Sequence, residues 1–171
     1  LKGARQYHLE KIAQALARQV HQARLEVNLS ALAHNLRAYQ RCLRPGVKTM
    51  VMVKATAYGA GSKEVARLLE HLRVDYCCVA YADEGIELRQ AGISAPIMVL
   101  NPEAGAFEQM RLHRLEPVVY SLEQLNNLSQ EALPHGVHLS IDSGMHRLGF
   151  DLHEMEGLLD YLRTHPELSV K

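Results

Sequence analysis

Lys54 ends the apolar run Thr49-Met50-Val51-Met52-Val53 and is followed at once by Ala55-Thr56-Ala57-Tyr58-Gly59-Ala60-Gly61. If the run is a strand of a parallel sheet, the lysine stands at its C-terminal end, the face where such folds keep their active sites. Partial desolvation there favours a neutral amine, which can form a Schiff base with an aldehyde. Taken alone, the position is more commonly that of a lysine that has reached solvent. Two glycines let the backbone pass close to a ligand, although ordinary loop chemistry also explains them. The segment is not a dinucleotide fingerprint, because the third glycine is missing. Nor is it a phosphate-binding P-loop, because no Gly-Lys-Ser/Thr follows.

A second group lies at Asp142-Ser143-Gly144-Met145-His146-Arg147-Leu148-Gly149. The Arg147 guanidinium is planar and permanently charged, suited to binding a carboxylate or phenolate. Asp142 and Arg147 read equally well as a structural ion pair within a loop. The ten histidines are scattered. His135 and His138 bracket a glycine before a strand, with no cysteine or carboxylate at ligand spacing, so no metal site is expected. The charges Glu64, Arg67, Glu70, His71 and Arg73 read as a solvated helix face, and Met50 and Met52 as strand core.

These residues need elements to hold them. Leu9, Ile12, Ala13, Leu16 and Val20 recur at helical spacing and predict a helix over Leu9–Ala23. The alternation Leu25-Glu26-Val27-Asn28-Leu29 suits a strand, and Ser30 is a good N-cap for a helix carrying Leu32, Ala33, Leu36 and Tyr39. Strands are then expected at Thr49–Lys54, Tyr76–Tyr81, Pro96–Leu100, Pro117–Tyr120 and Val137–Asp142. Helices are expected over Ser62–Leu72, Asp83–Gln90, Ala106–Leu112, from Ser121 to about Leu133, and Leu152–Arg163. Pro166–Lys171 looks like the start of a sixth strand. Strands apolar on both faces, alternating with helices, mean an α/β fold with a parallel sheet covered by helices. The repeat fits βα units of a (β/α)8 barrel, but a doubly wound open sheet has the same rhythm.

Composition narrows the setting. Of 171 residues 47% are hydrophobic, enough for one domain or part of a larger one. Lys+Arg and Asp+Glu balance at 19 each, so no net field favours nucleic acid or an anionic membrane. No apolar stretch reaches the length of a membrane span. Residues 1–20 lack the apolar middle of a signal peptide. Three cysteines, Cys42, Cys77 and Cys78, have no CxxC spacing. They fit free thiols in a reducing, cytoplasmic compartment, with Cys77 and Cys78 pointing to opposite faces of a strand. The chain begins with Leu rather than Met, as expected of a piece of a longer polypeptide.

Val53-Lys54-Ala55-Thr56-Ala57-Tyr58-Gly59-Ala60-Gly61 resembles the cofactor-lysine signature of alanine racemases, V-K-A-N-A-Y-G-H-G, departing at Thr56 and Ala60. Asp142–Gly149 is similar to that family's D-T-G-M-x-R-L-G segment. Val79–Ile93 resembles the family's second strand and helix, and Leu25–Leu36 its opening segment. The resemblance covers residues 25–171 and implies the N-terminal part of a TIM-type barrel binding pyridoxal 5'-phosphate (PLP), about five βα units long. It implies that Lys54 holds the cofactor and is one of two bases moving the substrate α-proton. Tyr58 would reach the cofactor phosphate, and Arg147 the cofactor's phenolic oxygen and, with Met145, the substrate. The implied reaction interconverts L- and D-alanine for peptidoglycan synthesis, in a homodimeric cytoplasmic enzyme.

Two departures qualify that implication. The family often carries a carbamylated lysine two residues before the aspartate, where this chain has Ser140, so another group must support Arg147. A full barrel needs about 250 residues. The family's opposite-face base, a partner subunit's tyrosine, and its pyridine-nitrogen partner have no counterparts here, so negligible turnover is expected of this chain alone. A serine or broad-specificity racemase and a non-catalytic PLP-binding homeostasis barrel remain alternatives. Residues 1–24 are expected to form a separate helix or linker. Leu1-Lys2-Gly3-Ala4-Arg5 and the helix after it resemble the last residues of a Mur ligase, which implies a ligase–racemase fusion.

Overall fold

The computed structural model describes residues 25–103, 105–131 and 136–171. The helix expected at Leu9–Ala23 and the possible ligase tail lie outside them, as does His135. The described chain opens with α1 (Leu29–Arg41) and then alternates strand and helix. The order is β1 (Met50–Met52), a short turn (Lys54–Tyr58), α2 (Ser62–His71), β2 (Tyr76–Val79), α3 (Ala82–Gln90), β3 (Ile97–Val99) and α4 (Phe107–Leu112). There follow β4 (Leu115–Val119), α5 (Leu122–Glu131), β5 (His138–Leu139), a 3₁₀ turn (Leu152–Glu154) and α6 (Met155–Thr164).

The five strands are parallel and lie in the order β1-β2-β3-β4-β5. That order separates the two folds that share the βα rhythm. A doubly wound sheet reverses direction at a switch point, whereas a barrel adds each strand beside the last. Val137 already bridges Val170 in parallel, so the C-terminal residues begin a sixth position beside β5. The fold is the first part of a (β/α)8 barrel.

The sheet has two unlike faces. Val53, Cys77, Val79, Ile97, Val99, Leu115 and Val119 face the helices and form one buried cluster with Val65, Ala66, Leu69, Leu88, Phe107, Met110, Leu125 and Leu128. Helix and sheet approach closely at Gly85, where an added Cβ would lie 2.9 Å from Leu115 Cδ1. The other face carries Met52, Cys78, Met98, Glu116, Val118 and His138, most of them half-buried. There His138 Nε2 lies 2.6 Å from Glu116 Oε2, and the Tyr76 ring meets the His138 ring edge-on at 5.6 Å.

Several expectations change in detail. Residues 25–28 are exposed and join no strand. Asn28, not Ser30, caps α1, its side-chain oxygen accepting from the Ala31 amide at 3.0 Å. Met50 is 50% exposed on the inner face, so it is not core here. Glu70 and Arg67 are more than a solvated face. Glu70 Oε1 accepts from the Ser94 amide, the Ser94 hydroxyl and the Ala95 amide at 2.6–2.8 Å, and Arg67 donates to the Ala91 carbonyl. Ser121 does cap α5, accepting from the Gln124 amide at 3.2 Å, while Gln124 accepts from the Tyr120 amide at 3.0 Å. Cys77 and Cys78 are buried on opposite faces, as their adjacency predicts, and Cys42 is exposed.

Candidate active site

Lys54 lies where strand β1 gives out. The last sheet bond there runs from the Val53 amide to the Cys78 carbonyl at 2.8 Å. The chain then makes one turn of left-handed helix. Ala55, Thr56, Ala57 and Tyr58 have φ of 50°, 55°, 52° and 57°, and the Ala57 amide donates to Val53 and the Gly59 amide to Ala55. For L-residues this hand costs about 1–2 kcal/mol each. Such strain persists only where surroundings fix it and gathers at functional sites.

Three features hold the turn. Ala57 is 7% exposed and packs into the core beneath it. Gly59, at φ 86°, closes the turn, and the Gly61 amide reaches back to the Thr56 carbonyl at 3.0 Å. At its start, the Ala55 amide donates to Glu84 Oε1 at 2.6 Å. The other Glu84 oxygen accepts from the Ala80 and Tyr81 amides at 2.8 and 3.2 Å. Glu84 therefore ties the end of β1 to the end of β2. Sequence reasoning assigned it no role, although a glutamate three residues into a helix is a known partner for the preceding backbone amides.

The turn leaves Lys54 half-buried and Tyr58 67% exposed. Among the described residues, Lys54 Nζ makes no hydrogen bond or ion pair. Cys78, next to Lys54's strand on the inner face, has its thiol pushed up to about 11 by burial, with Lys54 pulling weakly the other way. Cys78 is thus a protonated, unreactive neighbour of the lysine.

Arg147 and Met145 lie beyond β5, on a loop shaped by its own backbone. Asp142 Oδ1 accepts from the Gly144 and His146 amides at 2.9 and 3.0 Å, and Asp142 Oδ2 lies 3.1 Å from His146 Nδ1. The His146 amide, then the Gly144 amide, hold the Asp142 carboxyl below its usual range. The structural Asp142–Arg147 ion pair, one of the two readings of this segment, is not formed among the described residues; nearer amides and His146 take the carboxylate. Arg147 is exposed, with no ion pair or hydrogen bond among the described residues. The loop closes where the Phe150 amide donates to Ser140 and the Asp142 amide to Phe150, at 2.8 and 2.9 Å.

Met145 and Arg147 line a cavity of about 270 Å³ with Leu100, Tyr120 and Ser140. Ser140, the site of the expected departure, thus stands in the same cavity as the arginine. Lys54 and Tyr58 are not part of that lining. The structure unites Lys54 with Tyr58 on one turn and Met145 with Arg147 on one loop. The two pairs share the C-terminal edge of the sheet.

The described chain is thus a partial (β/α)8 barrel with an unengaged lysine at the C-terminal end of its first strand. Residues 27–171 match the family described as "Alanine racemase, N-terminal domain". The chain belongs to that family. It is 41% identical over 158 residues to an alanine racemase of Sorangium cellulosum, covering 86% of this chain and 42% of that protein. A serine/alanine racemase of Enterococcus gallinarum is 42% identical over 125 residues, covering 72% of this chain and 18% of the relative. Among solved structures, the biosynthetic alanine racemase of Pseudomonas aeruginosa matches with TM-score 0.75 at 37% identity, over 84% of this chain and 41% of that one. An alanine racemase of Clostridium difficile 630, solved in complex with cycloserine, matches with TM-score 0.73 at 39% identity, over 78% and 39%. The chain thus spans about two-fifths of the alanine racemases it resembles.

Proposed function

We propose that this chain is the cofactor-bearing part of a PLP-dependent alanine racemase. The observation that carries the proposal is Lys54, unpaired and half-buried on a strained turn at the catalytic edge of the barrel. The donor set suits the cofactor: a primary amine for its aldehyde, a tyrosine hydroxyl for its phosphate and a guanidinium for its phenolic oxygen. When bound, PLP supplies an electron sink that acidifies the α-carbon of an amino acid.

The protein's own part is positional and acid–base. Lys54 Nζ would hold the cofactor and would take or return a proton at the substrate α-carbon on one face. Tyr58 anchors the phosphate end. Arg147 and Met145 orient the substrate, with Arg147 binding its carboxylate. With Ser140 where the family often has a carbamylated lysine, Arg147 takes its support from the loop fixed by Asp142. A base on the opposite face comes, on the family pattern, from a partner subunit's C-terminal domain. We accordingly propose a cytoplasmic homodimer serving peptidoglycan synthesis, and negligible turnover by this chain alone.

Serine is the second substrate to weigh, because a serine/alanine racemase matches at an identity similar to the alanine racemases. The decisive experiment is titration of the purified chain with PLP, following its visible absorbance, with borohydride trapping and Lys54→Ala as control. A band trapped on Lys54 and lost in the variant supports the proposal, and its absence sinks it. Release of D-alanine from L-alanine by this chain at enzyme-like rates would overturn the expectation of negligible turnover.

A further inference from the structure

We infer that Glu84 is a positioning residue for Lys54: by binding the first amide after the lysine, it holds the left-handed turn in the conformation that presents the amine. The inference deepens the proposed cofactor site and rests on that reading of Lys54.

The argument begins with backbone bookkeeping. The sheet bonds of β1 end at the Val53 amide, and the first bond inside the turn is donated by the Ala57 amide. The Ala55 amide therefore falls between two ladders, like the orphan donors at the start of any helix, and needs an outside acceptor. Glu84 Oε1 supplies it at 2.6 Å, a short, charge-assisted bond. The carboxylate comes from a different βα unit, 29 residues along the chain.

Glu84 is itself fixed. Its second oxygen takes the Ala80 and Tyr81 amides, so three N–H groups converge on one carboxylate. No cation pairs with it among the described residues. This makes Glu84 a rigid post standing on the end of β2, to which the end of β1 is tied.

The tie matters because the turn is strained. Four successive L-residues at positive φ would each gain by leaving that region. Ala57, buried in the core, resists at the far end of the turn; at the near end the Ala55 carbonyl takes the turn's own Gly59 amide, and its amide is tied outside the turn by Glu84. Lys54 is the residue immediately before Ala55. Loss of the tie lets the peptide between them rotate, which redirects the lysine side chain while the strand below stays paired. A catalytic group held by such a neighbour loses precision before the fold loses stability.

The test compares Glu84→Ala and Glu84→Gln with Glu87→Ala, which removes an exposed carboxylate of the same helix that pairs with Lys63 at 3.0 Å. A glutamine has one accepting oxygen and must turn its NH₂ toward amide donors on one side. It should therefore fall between wild type and alanine. In cofactor-free protein, amide exchange at Ala55 is expected to rise at least tenfold in Glu84→Ala, with core amides of β2 and α3 unchanged. With PLP, the dissociation constant is expected to rise at least tenfold and borohydride trapping on Lys54 to fall, while Glu87→Ala matches wild type.

Unchanged PLP affinity and trapping in Glu84→Ala would overturn the inference, even if its melting temperature fell, because the residue would then be structural only. If Glu84→Ala does not fold, Glu84→Gln carries the same comparison. Failure of the unmutated protein to be trapped on Lys54 would sink the cofactor reading and the inference with it. Trapping that survives in every Glu84 variant would sink the inference alone.

Discussion

A Cβ added to Gly149 would lie 2.5 Å from the backbone nitrogen of Asp142 and 2.9 Å from the carbonyl carbon of Ile141. Gly149 also sits at φ 132°. The loop bearing Met145 and Arg147 can close onto the end of β5 only because this residue has no side chain. Backbone cannot swing aside as a flexible side chain could. Gly149→Ala is expected to cost clearly more than about 1 kcal/mol and to loosen the Arg147 loop. Gly46→Ala, with a positive φ but nothing within 4 Å, isolates the conformational part of that cost. Urea midpoints of the two variants check the difference.

Arg89 is a structural fork of the outer layer. Its Nε donates to the His113 carbonyl, Nη1 to the Ile93 and Ala95 carbonyls, and Nη2 to the Arg114 carbonyl, all at 2.7–2.9 Å. Burial pulls its pKa down, with the charge of Glu70 among the forces opposing that. Arg89→Met should destabilise by about 3 kcal/mol, since it strands several carbonyls at once. Arg89→Lys should recover little of this, because a point charge cannot span four acceptors. Chemical denaturation of both variants measures it.

Acid stability should depend on Glu70. The Ser94 hydroxyl, helped by the Ser94 and Ala95 amides, holds its carboxyl below the ordinary value of 4.5, against desolvation. A carboxyl depressed on folding stabilises the fold above its unfolded pKa, and that contribution fades as pH falls through the lowered folded value. Stability should therefore decline below about pH 4.5, and Glu70→Gln should flatten part of the decline. Melting temperatures between pH 3 and 7 for both proteins test this. An unchanged acid slope would contradict it.

The cysteines make a direct probe of the fold. Cys77 and Cys78 are fully buried with thiols pushed up to about 11, whereas Cys42 is exposed. A thiol-specific reagent at pH 8 should modify Cys42 quickly and the adjacent pair only on unfolding. Rapid labelling of Cys78 in native protein would mean that the inner face below Lys54 is open.

Much of this was legible in the residues. Apolar runs ending in polar loops located each of the five described strands, because strands apolar on both faces leave that mark. Lys54 was visible as the end of one of them. The alternation at residues 25–29 misled, since five residues cannot show whether a partner strand exists. There Asn28 captures the Ala31 amide and starts a helix instead. Asp142 was matched with Arg147 by charge, but amides two and four residues on occupy it first. Glu70 looked like a surface charge because its acceptor role runs to residues 24 and 25 positions away, and the Glu84 bond to Ala55 spans 29 positions, distances that no local pattern reveals.

The strand order has a consequence for how the chain acquires its shape. Each of the described strands β2 to β5 pairs with the one just before it in sequence, so these four ladders join neighbouring segments. Contact order stays low for a parallel sheet, and each βα step can dock as it emerges during synthesis. The Glu84–Ala55 tie can form once the third helix is made, so the lysine turn is set early in the assembly of the barrel.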